Sequence, residues 1–537
     1  MVGLQRQNGA AVDWQRLGYV AGASAVVVIL VTELIVLYIV RGKAQRQKDL
    51  PPGPQPWPMV GNLPALAGAM LHQNLQQLAA KFGPVMYLRL GSVPCVVVST
   101  AEVARALVGA SDEHLSSRPK LLSFSILSEN RTMGTAPSPG KLWHSLRKFS
   151  SSELLSVNRV ASYEGTRREE LSNMMQVLLE TSTRGEAINL KFWLFQTAAN
   201  LTTRMLVNKR IYYGNKANSY QEEVEKEFEQ VLKDRVHYQS APVISDYVPW
   251  LRFFSEKMQG WRSKLEAHRD REMSLFGKIL ELDKRRKRAA KGEADASYIP
   301  DFVDVMMEAP VDNGKVLDDK FIIKQLIEFF TAGVETSSRA LELAMAELVA
   351  NPEIMKRAQE EVDTIAGKDR LVQESDIPNL PFLTAVMKET FRMHPSLPLG
   401  FPRESTAPIE ALGYKIPART GIIFNAYAIH RDPAVYENPD EFNPNRFLQQ
   451  HRNVNHLAAF DSYELIPFGV GRRMCPGFNL GNIIVLLMLA NLMHSYDWCV
   501  PDGGSVDPID AEMRGLVLCP RNPLILVPKH REGVPAF

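Results

Sequence analysis

Residues 467–481 read PFGVGRRMCPGFNLG, a glycine-rich turn around Cys475 that leads directly into the apolar run LGNIIVLLMLANLMHSY. Within it lies the spacing Phe468-x-x-Gly471-x-Arg473-x-Cys475-x-Gly477. Glycines at 469, 471 and 477 predict positive φ angles and let the backbone pass close to a flat ligand. Pro476 and Gly477 precede a helix, so Cys475 faces a positive dipole end, which favours its thiolate. A thiolate is the axial ligand that pushes electron density through haem iron to favour O–O cleavage, and Arg473 is placed to pair with an anionic cofactor edge. The plainer alternative is a buried cysteine in a glycine-rich turn.

This loop resembles the haem-binding signature of the cytochrome P-450 superfamily, complete at its fixed positions. Other segments match that family in order. Lys388-Glu389-Thr390-Phe391-Arg392 resembles its ExxR helix, with Glu389 and Arg392 on one face. Phe442-Asn443-Pro444-Asn445-Arg446-Phe447 resembles the PERF segment, with Asn445 where glutamate is usual. The resemblance implies a buried charge network of Glu389, Arg392 and Arg446 bracing the haem side. Ala332-Gly333-Val334-Glu335-Thr336 resembles the oxygen-activation motif. There Ala332 and Gly333 would leave room for dioxygen and open the helix locally, and Glu335 and Thr336 would relay protons. Trp143-x-x-x-Arg147 and Arg403 match the family's propionate contacts. Ser117-Arg118-Pro119 and the run from Ala428 to Pro433 are similar to the plant A-type branch, with Tyr427 where tryptophan is common.

Outward from these motifs, the chain of 537 residues is 45% hydrophobic and 23% charged, which excludes disordered, collagen-like and disulfide-stapled classes. With 62 basic against 60 acidic residues the net charge is +2, and nothing calls for a nucleic acid partner. Four cysteines, at 95, 475, 499 and 519, form no CxxC pair; Cys95, Cys499 and Cys519 read as packing residues. Val85–Leu90 and Cys95–Ser99 predict a hairpin around Gly91 to Pro94. Helical periodicity follows over 101–109, 141–155, 160–182, 189–208, 218–238, 258–288, 319–350, 352–367 and 382–393, with short strands in 401–425 and 515–528. The basic run from Lys284 to Lys291 reads as a solvated helix end. The expected architecture is mostly α with small β-sheets, the cytochrome P-450 fold, as one large catalytic domain over 63–537.

Residues 17–40 form a 24-residue apolar run, long enough to span roughly 36 Å as helix. Arg41, Lys43, Arg46 and Lys48 follow it and predict retention on the cytosolic side. Residues 1–49 therefore read as a luminal N-terminus, an uncleaved signal-anchor transmembrane helix and a basic flank; a cleaved signal peptide is the rival. Prolines at 51, 52, 54, 56 and 58 make 50–62 a stiff extended hinge.

The resemblance implies a haem b monooxygenase of the endoplasmic reticulum membrane with its catalytic domain in the cytosol. It would use O2 and electrons from NADPH through NADPH-cytochrome P-450 reductase, since no GxGxxG loop follows a strand. Expected pocket residues are Phe124, Ile126, Leu127, Phe329, Phe330, Leu397, Leu399 and Leu516, which suit a hydrophobic or phenolic small molecule. A phenolic ester or a medium-chain fatty acid is favoured. The alternatives are an amino-acid N-hydroxylase, a haem-thiolate isomerase or dehydratase, and a haem sensor. Retention of Glu335 and Thr336 argues against the first two.

Overall fold

A computed structural model describes residues 49–66, 70–213, 218–241, 243–290, 299–308, 310–312, 315–448, 463–504 and 511–534. The apolar run 17–40 and its basic flank lie outside the described residues. The chain is mostly helical, with small sheets. Its axis is the helix Asp319–Ala350, capped by the Asp318 side chain accepting from the Phe321 N–H. This helix packs against Leu190–Val207 on one side and Phe478–Ser495 on another. Phe478–Ser495 is apolar all round and long enough to cross a membrane, yet from Ile484 onward it is buried in the largest core cluster. A helix without a polar face is stable only where every side is covered.

The hairpin forms as expected: Val85–Leu90 pairs antiparallel with Val93–Val98. Val93–Val98 also pairs in parallel with Gly421–Phe424, which in turn pairs with Arg403–Glu404. This four-stranded sheet puts Arg403, distant in sequence, on its edge strand, one strand away from the hairpin. The proline-rich stretch runs without helix or strand over 51–56, departs from the extended expectation in a closed turn over Trp57–Gly61, and is fastened to the sheet at both ends. The Tyr87 N–H donates to the Pro52 carbonyl at 2.8 Å and the Asn62 N–H to the Arg89 carbonyl at 2.6 Å.

Three of the expected helices are broken by local backbone chemistry. The 258–288 segment is two helices, Trp261–Leu280 and Leu282–Ala290, separated by Glu281 in the left-handed region with φ 48°. Glu281 is held there by Lys209 at 2.8 Å and Lys284 at 2.6 Å, and those two ammonium groups pull its carboxyl down to about 2. The 160–182 segment pivots at Tyr163, and 141–155 stops as α-helix at Phe149 before a π turn over Ser150–Leu154. Helices Leu122–Leu127 and Phe302–Glu308 escape the periodicity because each has too few turns to show it, whereas Leu71–Phe82, 12 residues long, was missed although it has the length.

The basic run departs from a solvated helix end at Arg285, while Lys284 and Arg286 are exposed. Arg285 is buried and reaches Asp301 at 2.7 Å, Asp304 at 2.8 Å, and the carbonyls of Val207 and Leu280. Beside it, Arg286 pairs with Asp319 at the start of the central helix. None of the four cysteines is in a disulfide. Cys95 is a core thiol 2% exposed, pushed by burial up to about 12.

Candidate active site

The cysteine loop is shaped by its own backbone bonds. The Cys475 N–H donates to the Phe468 carbonyl at 2.9 Å, and the Gly469 N–H to the Ile466 carbonyl at 3.0 Å. Gly469 and Gly471 hold φ of 76° and 62°, as expected. At Gly471 a Cβ would also sit 2.3 Å from an Asp112 oxygen. Gly477 departs from the expectation: its φ is −88°, which any residue adopts. Its value lies in position. It caps the helix Phe478–Ser495, its N–H donates to the Cys475 sulfur, and a Cβ there would stand 3.9 Å from that sulfur. Burial pushes the Cys475 thiol up, and the Gly477 N–H and the Arg147 charge oppose the rise. Phe468 covers this side, its ring centroid 5.7 Å from that of Phe391 and 6.5 Å from that of Phe478.

Opposite lies the middle of the central helix. Ala332 is exposed and Gly333 and Thr336 are half-exposed, although buried residues flank them on the same helix. Phe468 and the residues from Arg473 to Ile483 are half-exposed in the same way. Two interior segments thus retain surface, on or next to helices that pack against each other, and we take the space they border as a cleft. The helix does not open here; it is continuous α from Asp319 to Ala350. The Thr336 hydroxyl donates to the Ala332 carbonyl at 2.7 Å, so it uses the turn as it stands. Glu335 is buried and turned to Arg339 at 3.4 Å, which also holds Glu342 at 2.9 Å. Neighbours in sequence, Glu335 and Thr336 thus have different partners.

One edge of the cleft is cationic. Trp143 is buried in the helix Lys141–Phe149, with the Arg473 guanidinium 4.4 Å from its ring centroid. One turn on, Arg147 donates to the Met474 carbonyl at 2.7 Å. Arg473 donates to the carbonyls of Ser116 at 2.7 Å, Met133 at 3.0 Å and Ala136. Arg403 donates to the Val470 carbonyl at 2.5 Å, while its Nη1 is buried without a partner. Arg118 joins them, donating to Gly134, Phe401 and Pro402 carbonyls. Burial depresses all three, Arg403 to about 10 and Arg473 to about 9; the Arg403 charge adds to the effect at Arg473, and both neighbours add to it at Arg118. Buried cations that bond only carbonyls and repel one another are costly. Their arrangement fits an anionic partner, as does the orphaned Nη1 of Arg403.

The charge network forms below the cysteine loop. Glu389 and Arg392 are fully buried and bidentate, at 2.7 and 2.8 Å. Arg446 Nε reaches Glu389 at 2.9 Å, and the Asn443 N–H donates to the same oxygen at 2.8 Å. Arg392 also donates to the carbonyls of His430, Pro439 and Glu441. Asn445 keeps an oxygen where the glutamate would be and accepts from Arg357 at 2.6 Å.

The expected pocket residues divide. Phe330 is core, 0% exposed and packed on Phe228 and Phe276; Phe124, Ile126 and Leu127 are buried too. Phe329, Leu397, Leu399 and Leu516 retain surface. Sequence reasoning missed Arg118 as part of the cationic edge, although Ser117-Arg118-Pro119 stood out. It also missed His430, whose Nδ1 bonds the Phe391 carbonyl and whose Nε2 accepts from Ile466.

Comparison with known proteins agrees with this geometry. The family model for cytochrome P450 matches residues 51–527. Cytochrome P450 76C2 of Arabidopsis thaliana is 36% identical over 487 residues, covering 90% of this chain and 92% of the relative. A flavonoid 3',5'-hydroxylase of Eustoma exaltatum subsp. russellianum is 37% identical, with 85% and 86% covered. Flavonoid 3'-monooxygenase CYP75B137 of Crocosmia x crocosmiiflora is 34% identical, with 95% and 98% covered.

Proposed function

The chain belongs to the cytochrome P450 family and is a haem-dependent monooxygenase, and from that premise we propose that it hydroxylates a small phenolic or hydrophobic metabolite, with NADPH-cytochrome P-450 reductase as electron donor. The observation that carries this reading is the cleft: a cysteine thiol on one wall, a bare helical turn at Ala332 and Gly333 on the other, and a carbonyl-bonded arginine cluster at the edge. Those residues fit haem b. Bound haem supplies the redox chemistry, placing one atom of O2 in the substrate and releasing the other as water with two electrons and two protons.

The chain's own residues do the rest. Cys475 would be the iron ligand, its sulfur steadied by the Gly477 N–H, with the packed Phe468 and Phe391 rings bracing the loop that carries it. Arg118, Arg403 and Arg473, with Trp143 and Arg147 beside them, bind the carboxylate edge of the cofactor. Ala332 and Gly333 keep side-chain bulk out of the reaction space. The Thr336 hydroxyl, free to exchange its Ala332 carbonyl for a water, holds a proton within reach of that space. Glu335, buried against Arg339, steadies the same turn and supplies the second exchangeable site.

Three features support the finer reading. Relatives named as flavonoid hydroxylases favour a phenolic ring over an acyl chain. The retained surface of Phe329, Leu397, Leu399 and Leu516 suits a flat apolar molecule. Exposed Trp57, Met59, Trp250, Phe253 and Met258 suit a body that rests on a membrane, in keeping with an endoplasmic reticulum anchor at 17–40.

The test is optical. Reduced protein with carbon monoxide is expected to give a thiolate-type spectrum that Cys475→Ala abolishes; retention in that variant would sink the assignment. Titrating a flavanone into ferric protein is expected to give a saturable low-to-high-spin shift. A shift with a medium-chain fatty acid alone would move the substrate to acyl chains.

A further inference from the structure

Two consecutive peptides in the loop before helix Lys141–Phe149 are bonded on both sides. The Met133 N–H donates to Gln325 Oε1 at 3.0 Å, and its carbonyl accepts from Arg473 Nη1 at 3.0 Å. The Gly134 N–H donates to Glu328 Oε1 at 2.5 Å, and its carbonyl accepts from Arg118 Nε at 2.8 Å. Thr132 gives its hydroxyl to the other oxygen of Glu328, and Lys324 pairs with Glu129. Every N–H thus goes to the central helix and every carbonyl to the arginine cluster. The loop is strung between the two walls of the cleft.

Glu328 lies one turn before Ala332, on the same face of the helix. Gly134 is what lets it close: a Cβ there would come within 2.6 Å of Glu328 Oε1 and 2.9 Å of its carboxyl carbon. Beyond this contact the loop is knit to itself. Thr135 Oγ1 bonds Thr132 Oγ1 at 2.7 Å and Ser128 Oγ at 2.8 Å, so residues 128–135 move as a unit. Glu328 accepts two bonds from this unit, beside the single contacts that Gln325 and Lys324 make from the same helix, and so it is the central of three fastenings.

We propose that Glu328 is a positioning residue for ligand passage: its carboxylate is the principal latch of the loop Glu129–Ala136, with Gln325 and Lys324 beside it, and release of that latch admits or frees the ligand. The inference rests on the haem-monooxygenase reading for one of its two readouts only. Hydrogen exchange of peptides covering 129–136 reads the latch directly. Stopped-flow binding of 4-phenylimidazole to the ferric holoenzyme reads passage to the iron.

In Glu328→Ala and in Gly134→Ala, exchange of those peptides and the 4-phenylimidazole association rate are each expected to rise about tenfold or more, the scale of one lost charge-assisted hydrogen bond. Because both changes break the same contact, the double variant is expected to match the faster single one. Wild-type rates in both single variants, or fully multiplied effects in the double variant, would overturn the latch. Should Glu328→Ala fail to fold, Thr132→Val, which removes one arm, and Gly134→Ala decide by the same two rates. A protein that never binds 4-phenylimidazole overturns the haem reading, and the exchange result still decides the latch.

Discussion

Nε2 of His430 accepts the backbone N–H of Ile466 at 2.8 Å, and this bond joins the two halves of the haem-side scaffold. On its other side the ring donates from Nδ1 to the Phe391 carbonyl, within the helix that carries Glu389 and Arg392. Ile466 opens the cysteine loop, since its carbonyl receives the Gly469 N–H. The imidazole must therefore be neutral to serve as acceptor toward Ile466.

That requirement gives a pH dependence with a definite sign. Burial, with Arg431 and Arg392 adding to it, pulls His430 from 6.5 down to about 3. Between those values the unfolded chain binds a proton that the folded chain refuses, so stability is full above pH 6.5 and falls as pH drops. The slope is at most about 1.4 kcal/mol per pH unit. The rate at which the thiolate-type carbon monoxide spectrum decays is expected to climb below pH 6.5. His430→Gln is expected to decay faster at pH 7.5 yet climb less steeply. His72, pulled down to about 4 by burial, leaves a residual slope of the same sign. An unchanged slope in the variant would remove His430 from this role.

Breaking the Glu389–Arg392 pair tests the scaffold itself. Arg392→Lys keeps the charge but loses the bidentate geometry and most of the three carbonyl contacts, all at 0% exposure. A loss of roughly 3–5 kcal/mol is expected, enough to leave little haem-loaded protein. The measurement is the ratio of thiolate-type spectrum to total chain. Full loading would show that this pair is dispensable.

The motifs of the candidate site were more legible than the breaks in the elements around them, and the reason is local. Cys475, Glu389, Arg392, Thr336 and the glycines at 469 and 471 act through spacings of a few residues, which sequence displays directly. Arg118, Glu328 and His430 act through partners that are distant in sequence, and no spacing reveals them. The central helix was read to the residue because its apolar periodicity runs over 32 residues with no proline to break it. The break at Glu281 was not, because Lys209, brought there by the fold, joins the local Lys284 in holding that residue left-handed against its own propensity.

Asn445 stands where the family usually has glutamate, and the structure shows a small local consequence. Its oxygen accepts from an exposed Arg357, whose guanidinium also lies 3.9 Å from the centre of the Phe382 ring. Asn445→Glu would convert this bond into a surface ion pair, so a gain within about 1 kcal/mol is expected, with haem loading unchanged. Thermal inactivation at low and high salt checks it; a shift of many degrees would place Asn445 in the core of the network.

Arg285 and Arg286 are adjacent cations with opposite expected outcomes. Arg285→Gln leaves Asp301, 0% exposed, without its guanidinium, and a cost of about 3 kcal/mol or more is expected. Arg286→Gln loses an exposed pair with Asp319 and is expected to cost under about 1 kcal/mol. Urea unfolding followed by tryptophan fluorescence separates the two. Equal effects would return the whole run to the surface.

Thr336 decides whether the proton path runs where the cleft suggests. Its hydroxyl is bonded to the Ala332 carbonyl at 2.7 Å and borders the exposed turn, whereas Glu335 is spoken for by Arg339. Thr336→Ala is expected to keep the ferric spin shift with substrate while most NADPH consumed appears as hydrogen peroxide, coupling falling roughly tenfold or more. Thr336→Ser keeps the hydroxyl and is expected to recover most of the coupling. Glu335→Gln also loosens the Arg339 pairing, so its effect is expected on stability as well as coupling. Tight coupling in Thr336→Ala, with peroxide at the level of the unmodified enzyme, would take the hydroxyl out of the path and leave Glu335 or solvent to deliver the proton.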